Sequence, residues 1–294
     1  MERTLLIIDA NSLIHRAYHA LPPLTDADNK PAGAVYGLSS ILIKILRELS
    51  PTYSVAAYDR PEPTFRKKEF SAYKEHRPAS ADDLIAQLIS SKKFFEAFGI
   101  KCLESPGFEA DDIIGTVAAR FSTDDAVEKI IILSGDLDVL QLVKDRRVIA
   151  WVPQKGISSF TEYDREAVIG RFGIPPELVP DFKGLVGDSS DNIPGVQGVG
   201  PKTAADLIKR YGPLEDLYAL SPETKTAAMK RVMESKESAI LSKRLATISE
   251  KAPLPDFSLS DLKTSPLPPE KLSEFLSLKG FKNLAGRITE AGLI

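Results

Sequence analysis

Asp188 and Asp191 stand three residues apart, close enough in one helical turn or a tight loop for their carboxylates to converge on one ion. Converging acids repel and would hold protons unless a divalent cation offsets their charge. Asp, Ser and Asn also favour Asx turns and helix caps, so the pair alone does not decide between a metal site and a turn. Just beyond, Gly195, Gly198 and Gly200 precede Pro201, Lys202 and Thr203 and then an amphipathic run. Glycines let the backbone approach a bulky anion, and the N–H groups opening the next helix point at it. Gly195 and Gly200 have P-loop spacing, but Pro201 takes the place of the P-loop lysine and no hydrophobic strand comes before. A hairpin between two short helices, gripping one phosphate of a nucleic acid backbone, fits better.

More acids lie upstream. Asp9, Asp59 and Asp136 each end an apolar run, and Asp138 follows the last of them. Glu109, Asp111 and Asp112 crowd the head of an apolar helix. Acids there oppose the helix dipole, but three in four positions exceed what capping needs. The three histidines and the single Cys102 are not placed among these acids in the sequence, so zinc with soft ligands is disfavoured. Oxygen ligands alone favour a hard ion, Mg²⁺ or Mn²⁺. Eight or nine carboxylates are too many for one such ion, so two or more are expected. A pair about 4 Å apart can stabilise the attacking and leaving oxygens of a phosphodiester and activate a water, with no side-chain nucleophile.

The elements that must position these acids are short. Residues 4–8, 53–58, 100–104 and 129–135 read as strands of a buried parallel sheet, with helices over about 35–49 and 82–98 between them. The spacing is that of βαβ units, and Asp9, Asp59 and Asp136 then share the rim where doubly wound folds bind ligands. Asn11 and Ser12 read as a turn. Residues 147–152 read as an edge strand, and helices dominate from about 162 to 249. Residues 251–269 hold five prolines and read as an extended strap, followed by a helix from about 269 to 278.

Between residues 60 and 77, basic side chains (Arg60, Arg66, Lys67, Lys68, Lys74, Arg77) interleave with Phe65, Phe70 and Tyr73. That mixture suits a single-stranded backbone with bases to stack on, and equally suits a solvated connector. The run Lys225, Lys230, Arg231 and Lys236 is interrupted by acids and reads as either a solvated or a DNA-facing surface.

At 294 residues the chain can bury a real core, and 43% hydrophobic with 27% charged residues is ordinary for a globular protein. No apolar run reaches membrane-span length, residues 1–3 make a poor signal peptide, and one cysteine suits a reducing cytosol. No membrane association is expected. The net charge of −3 argues against nucleic acid at first, but acids that bind metal cancel locally and leave basic residues free to cluster elsewhere.

Residues 6–13, 109–112, 134–138 and 187–196 together closely resemble the bacterial 5′-3′ exonuclease or flap endonuclease family, as found at the amino end of DNA polymerase I. The resemblance covers essentially the whole chain. It implies an α/β fold: a parallel-sheet, PIN-like nuclease core over residues 1–175, including a helical arch at about 60–95. A helical helix-hairpin-helix region with the strap and last helix would occupy residues 176–294. Asp9, Asp59, Glu109 and Asp111, with Asp112 nearby, would build a first metal site, and Asp136, Asp138, Asp188 and Asp191 a second. Arg66, Lys74 and Arg77 match the arch's phosphate-contacting positions, with Lys74 and Arg66 the expected catalytic pair. Gly195, Gly198, Gly200, Lys202 and Thr203 would hold duplex DNA, with K⁺ at the hairpin. The implied substrate is branched, flapped or nicked DNA with a 5′ end, cut in primer removal and repair. A polymerase partner, covalent or in trans, a monomeric state and a cytoplasmic, nucleoid-associated location are expected. An α/β phosphatase and a binding-only DNA module are the rivals. The first commonly wants Asp two residues after the strand-end Asp, where Asn11 stands, and the second leaves the crowded acids unexplained.

Overall fold

The computed structural model describes residues 2–154, 159–220 and 226–291. Lys225 of the lysine-rich run lies outside them. A six-stranded sheet forms from β1 (Thr4–Asp9), β2 (Tyr53–Tyr58), β3 (Lys101–Glu104), β4 (Lys129–Leu133), β5 (Val148–Pro153) and β6 (Phe160–Tyr163). Its order is β3-β2-β1-β4-β5-β6, parallel except for the antiparallel β6. All six residues of β1 are buried, as a strand covered on both faces requires. The chain leaves β1 toward β2 on one side and β4 on the other. The crevice at that reversal opens at the carboxyl ends of the strands.

Side chains alternate across the sheet. Leu6, Ile8, Ala56 and Leu133 face one core, which also takes in α1 (Ala10–Ala20), α2 (Gly33–Leu49) and, beyond the short α3 (Phe65–Glu69), α4 (Asp82–Ala97). Leu5, Ile7, Val55 and Ala57 face the other core, under α5 (Ala110–Phe121). The chain then runs through α6 (Arg165–Phe172), α7 (Val179–Val186), α8 (Pro201–Tyr211), α9 (Leu214–Leu220), α10 (Ala227–Glu234) and α11 (Lys236–Ala246). Leu185, Ala204, Ile208, Leu217 and Val232 build a third apolar cluster among these helices.

The strap returns to the sheet. Thr264 N–H donates to the Thr52 carbonyl and Leu267 N–H to that of Ala97, both at 3.0 Å. α12 (Pro269–Leu278), α13 (Lys282–Ala291) and Phe281 between them then insert into the first core, the helices through Leu272, Leu276, Leu284 and Ile288. Phe94 of α4 packs edge-on to Phe275 with centroids 5.1 Å apart.

Four local expectations are corrected. Asn11 and Ser12 form the first turn of α1 rather than a turn, because Asp9 caps a helix that starts at once. The sheet edge is β6, a four-residue strand too short and too exposed to show a pattern, so β5 is an inner strand. A further helix, α13, follows the break at Gly280. The carboxyl half of the expected arch is α4, whose Leu84, Phe94 and Phe95 are buried in the first core.

Candidate active site

The strand ends place the first acids. Asp9 closes β1 and caps α1, with Oδ1 accepting from Ser12 N–H at 2.9 Å and Oδ2 from the Ser134 hydroxyl at 2.6 Å. Burial, aided by Asp59 and Asp136, pushes its carboxyl up to about 7 against those hydrogen bonds. Asp59, just past β2, accepts the Ala110 N–H at 2.7 Å and so caps α5 from outside. It too is raised, by burial and then by Glu109. The start of α5 carries Asp111, raised well above its ordinary value by burial and by Asp136, Asp9 and Asp138. Asp138 is pushed up to about 7 by burial and Asp136, although Lys183 opposes this.

These four acids, with Glu109, Asp136 and Asp188, line one cleft of about 590 Å³ at the carboxyl rim of the sheet. Asp191 lies behind its wall, 6% exposed, where it accepts the Tyr73 hydroxyl at 3.2 Å and pairs with Arg77. No three acids of the described residues yet close on one point as a ready-made metal clasp. Several instead turn onto lysines. The donor set is nonetheless hard oxygen, and carboxyls raised by burial and then by their neighbours' charge are groups that a divalent cation would recharge, so the residues fit Mg²⁺ or Mn²⁺.

Positive charge enters the cleft from two elements. Lys74 has φ +53°, and its backbone N–H donates to the Asp191 carbonyl at 2.9 Å. Its Nζ lies 3.0 Å from Glu109 Oε2 and 3.7 Å from Asp191 Oδ2. Against burial, those two acids hold its ammonium above the ordinary range. Lys183, which sequence reading missed, projects from α7 to Asp188 Oδ2 at 2.7 Å and also pairs with Asp138. Lys183 and Ser190 in turn draw Asp188 down to about 2 despite its burial. A lone lysine in an apolar helix five residues before Asp188 was the available signal.

His15 was also missed. It lines the cleft one turn beyond Asn11, a relationship hidden by reading residues 11–12 as a turn. Burial, then His19 and Arg77, lowers its imidazole, favouring the neutral ring.

Two expected site residues sit elsewhere. Arg66 is 2% exposed, with its guanidinium closed on Asp112, so it does not face the cleft or solvent. Asp112 is fully buried, and both its oxygens are taken by Arg66 and backbone N–H groups, so it has no free lone pairs facing an ion. Arg77 stays at the cleft edge.

The loop joining α7 to α8 divides the glycines. Gly195 is buried at φ +62°, and a Cβ there would lie 2.3 Å from the Gly187 nitrogen. It shapes the loop's interior and presents no surface to a phosphate. Gly198 and Gly200 are exposed, Gly200 caps α8, and Lys202 is exposed beside it with Thr203 half-buried.

Residues 4–173 match the family model of the 5′-3′ exonuclease N-terminal resolvase-like domain, and residues 174–280 that of the 5′-3′ exonuclease C-terminal SAM fold. The chain is 38% identical over 285 residues to DNA polymerase I of Caldicellulosiruptor bescii, covering 97% of this chain and 33% of that protein. It is 39% identical over 215 residues to a 5′-3′ exonuclease of Aquifex aeolicus, covering 73% of this chain and 72% of that protein. It thus spans about a third of the polymerase relatives it matches. Among solved structures, T5 5′-exonuclease with divalent metal ions (zinc) bound superposes with a TM-score of 0.67 at 20% identity, covering 98% of this chain and 97% of that one. The catalytic core of Rad2 in complex with DNA substrate gives 0.60 at 17%, covering 100% and 92%. Both likenesses establish a shared fold.

Proposed function

The chain belongs to the 5′-3′ exonuclease family, and on that premise we propose that it hydrolyses phosphodiesters at 5′ ends and 5′ flaps of branched or nicked DNA. The observation that carries this reading is the single cleft at the sheet rim. Seven carboxylates line it, and Lys74, Arg77 and Lys183 reach into it.

Asp9, Asp59, Glu109 and Asp111 would hold one divalent cation and Asp136, Asp138 and Asp188 another, with Asp191 supporting the second from behind the wall. When bound, such cations supply Lewis-acid charge at the scissile phosphate. The chain's own residues do the rest. Lys74, now on Glu109, is within the same cleft as the acids and can donate to a non-bridging phosphate oxygen as charge builds there. Arg77, half-exposed beside it, offers a planar fork to the neighbouring phosphate. Lys183 keeps Asp138 and Asp188 from repelling each other apart. Exposed Gly198, Gly200 and Lys202 would take one backbone phosphate of the duplex, and K⁺ would sit at that hairpin by family likeness. A polymerase joined in the same chain or acting in trans, a monomeric state and a cytoplasmic setting belong to the same reading. Among the described residues no helix is long and apolar enough to cross a membrane.

The deciding experiment is cleavage of an end-labelled 5′-flap duplex with Mg²⁺, with Mg²⁺ plus excess chelator, and beside a blunt duplex. Metal-dependent cutting near the flap junction is expected. Tight binding without cutting would make the protein a DNA-binding relative instead.

A further inference from the structure

Arg66 gives its donors to two separate parts of the chain. Its fork meets the two oxygens of Asp112 at 2.7 and 2.8 Å, and it donates to the carbonyls of Leu245 and Thr247, both at 2.8 Å. Asp112 accepts the backbone N–H of Glu109 at 3.0 Å and of Ser249 at 2.8 Å. One buried pair therefore fixes the head of α5 and the end of α11 at once. The Glu109 carboxylate is aimed from the same direction, with Arg66 Nη1 at 3.4 Å and the Tyr73 hydroxyl at 3.1 Å on Oε2. The Coulomb attraction alone is not what the pair contributes, since a buried ion pair can often be exchanged for apolar side chains at little cost, whereas the four backbone groups it satisfies would be left unpaired. A bidentate fork does fix direction, which packing fixes less sharply.

We propose that the Arg66–Asp112 pair positions Glu109 for divalent-cation binding and links that geometry to the seating of residues 245–249, with Asp112 itself never a metal ligand. The inference rests on the nuclease reading. Groups behind a metal ligand set its orientation, and their loss costs about 10–100-fold in metal affinity or activity.

The test compares the wild-type protein, the double variant Arg66→Met/Asp112→Leu and the single variant Arg66→Lys. Mg²⁺ binding is read by titration calorimetry without DNA, melting in chelator, and kcat and KM on the labelled flap duplex. The double variant is expected to melt below wild type, since the backbone groups of Glu109, Leu245, Thr247 and Ser249 lose their partners, and while still folded to bind Mg²⁺ about 10–100-fold more weakly and to lose kcat more than KM. Wild-type Mg²⁺ binding and turnover in the double variant would reduce the pair to packing and overturn the proposal. Should the double variant fail to fold, Arg66→Lys decides, because it keeps the charge and loses the fork. Weakened Mg²⁺ binding there supports positioning, and unaltered binding overturns it. A wild-type protein that binds Mg²⁺ yet leaves the flap uncut would sink the nuclease reading, while the Mg²⁺ comparison still judges the pair.

Discussion

The Lys183 ammonium joins Asp138, behind the fourth strand, to Asp188 in the loop after α7, at 2.7 Å from the latter. Through this cation the sheet and the helical region meet across the cleft, as they do through Lys74 between Glu109 and Asp191.

Removing that cation leaves two acids facing each other. Lys183→Ala is expected to lower stability in chelator by about 1.5–3 kcal/mol, the range for hydrogen bonds to charged groups. Mg²⁺ should restore much of the loss. Denaturant melts with and without Mg²⁺ check this, and an equal deficit in both would show that Lys183 does not substitute for cation charge.

The raised carboxyl of Asp111 carries a pH signature. The folded state holds its proton more tightly than the unfolded chain, so its contribution is fully present below the ordinary value of 3.8 and is lost as pH rises through the folded value. In chelator, Asp111→Asn should therefore gain melting temperature relative to wild type as pH climbs from about 5 to about 8. It should also be inactive. Parallel pH profiles for the two proteins would contradict the crowding described here.

Lys74→Ala removes a donor aimed into the cleft. Turnover on flap DNA should fall about 100-fold, as when one transition-state donor is lost, with a far smaller change in binding. Comparable losses in kcat and affinity would move Lys74 from charge stabilisation to simple phosphate contact.

Asp136→Ala should abolish cleavage while leaving duplex binding largely intact, measured by gel shift in Ca²⁺ beside the cleavage assay. Its carboxylate caps the short turn after β4, accepting from Asp138 N–H at 2.9 Å, and it also repels Asp9, Asp111 and Asp138, so the lost cap and the relieved repulsion offset each other in melting. Full residual turnover would remove Asp136 from the metal set.

Asp9, Asp59 and Asp136 were readable because continuous apolar runs announce buried strands, and each such run ended in acid. The start of α1 was not, since Asn11 and Ser12 favour turns and helix starts alike. Arg66 looked like a phosphate contact for want of any local sign of burial. Its partners lie 46, 179 and 181 residues away, and no spacing rule reaches that far. Gly195 was likewise assigned to a phosphate although its freedom serves the close approach to Gly187. The cleft's acids were legible residue by residue; the network that holds them in place was written in tertiary contacts.

The return of the strap has a consequence for synthesis. A ribosome delivers β1, α2 and α4 long before Phe275, Phe281 and Ile288, yet these late residues complete the core around Phe94 and Leu38. Until they emerge, the side of α2 and α4 turned away from the sheet stays uncovered, and nascent chains carry sticky apolar surface of the kind that chaperones shield.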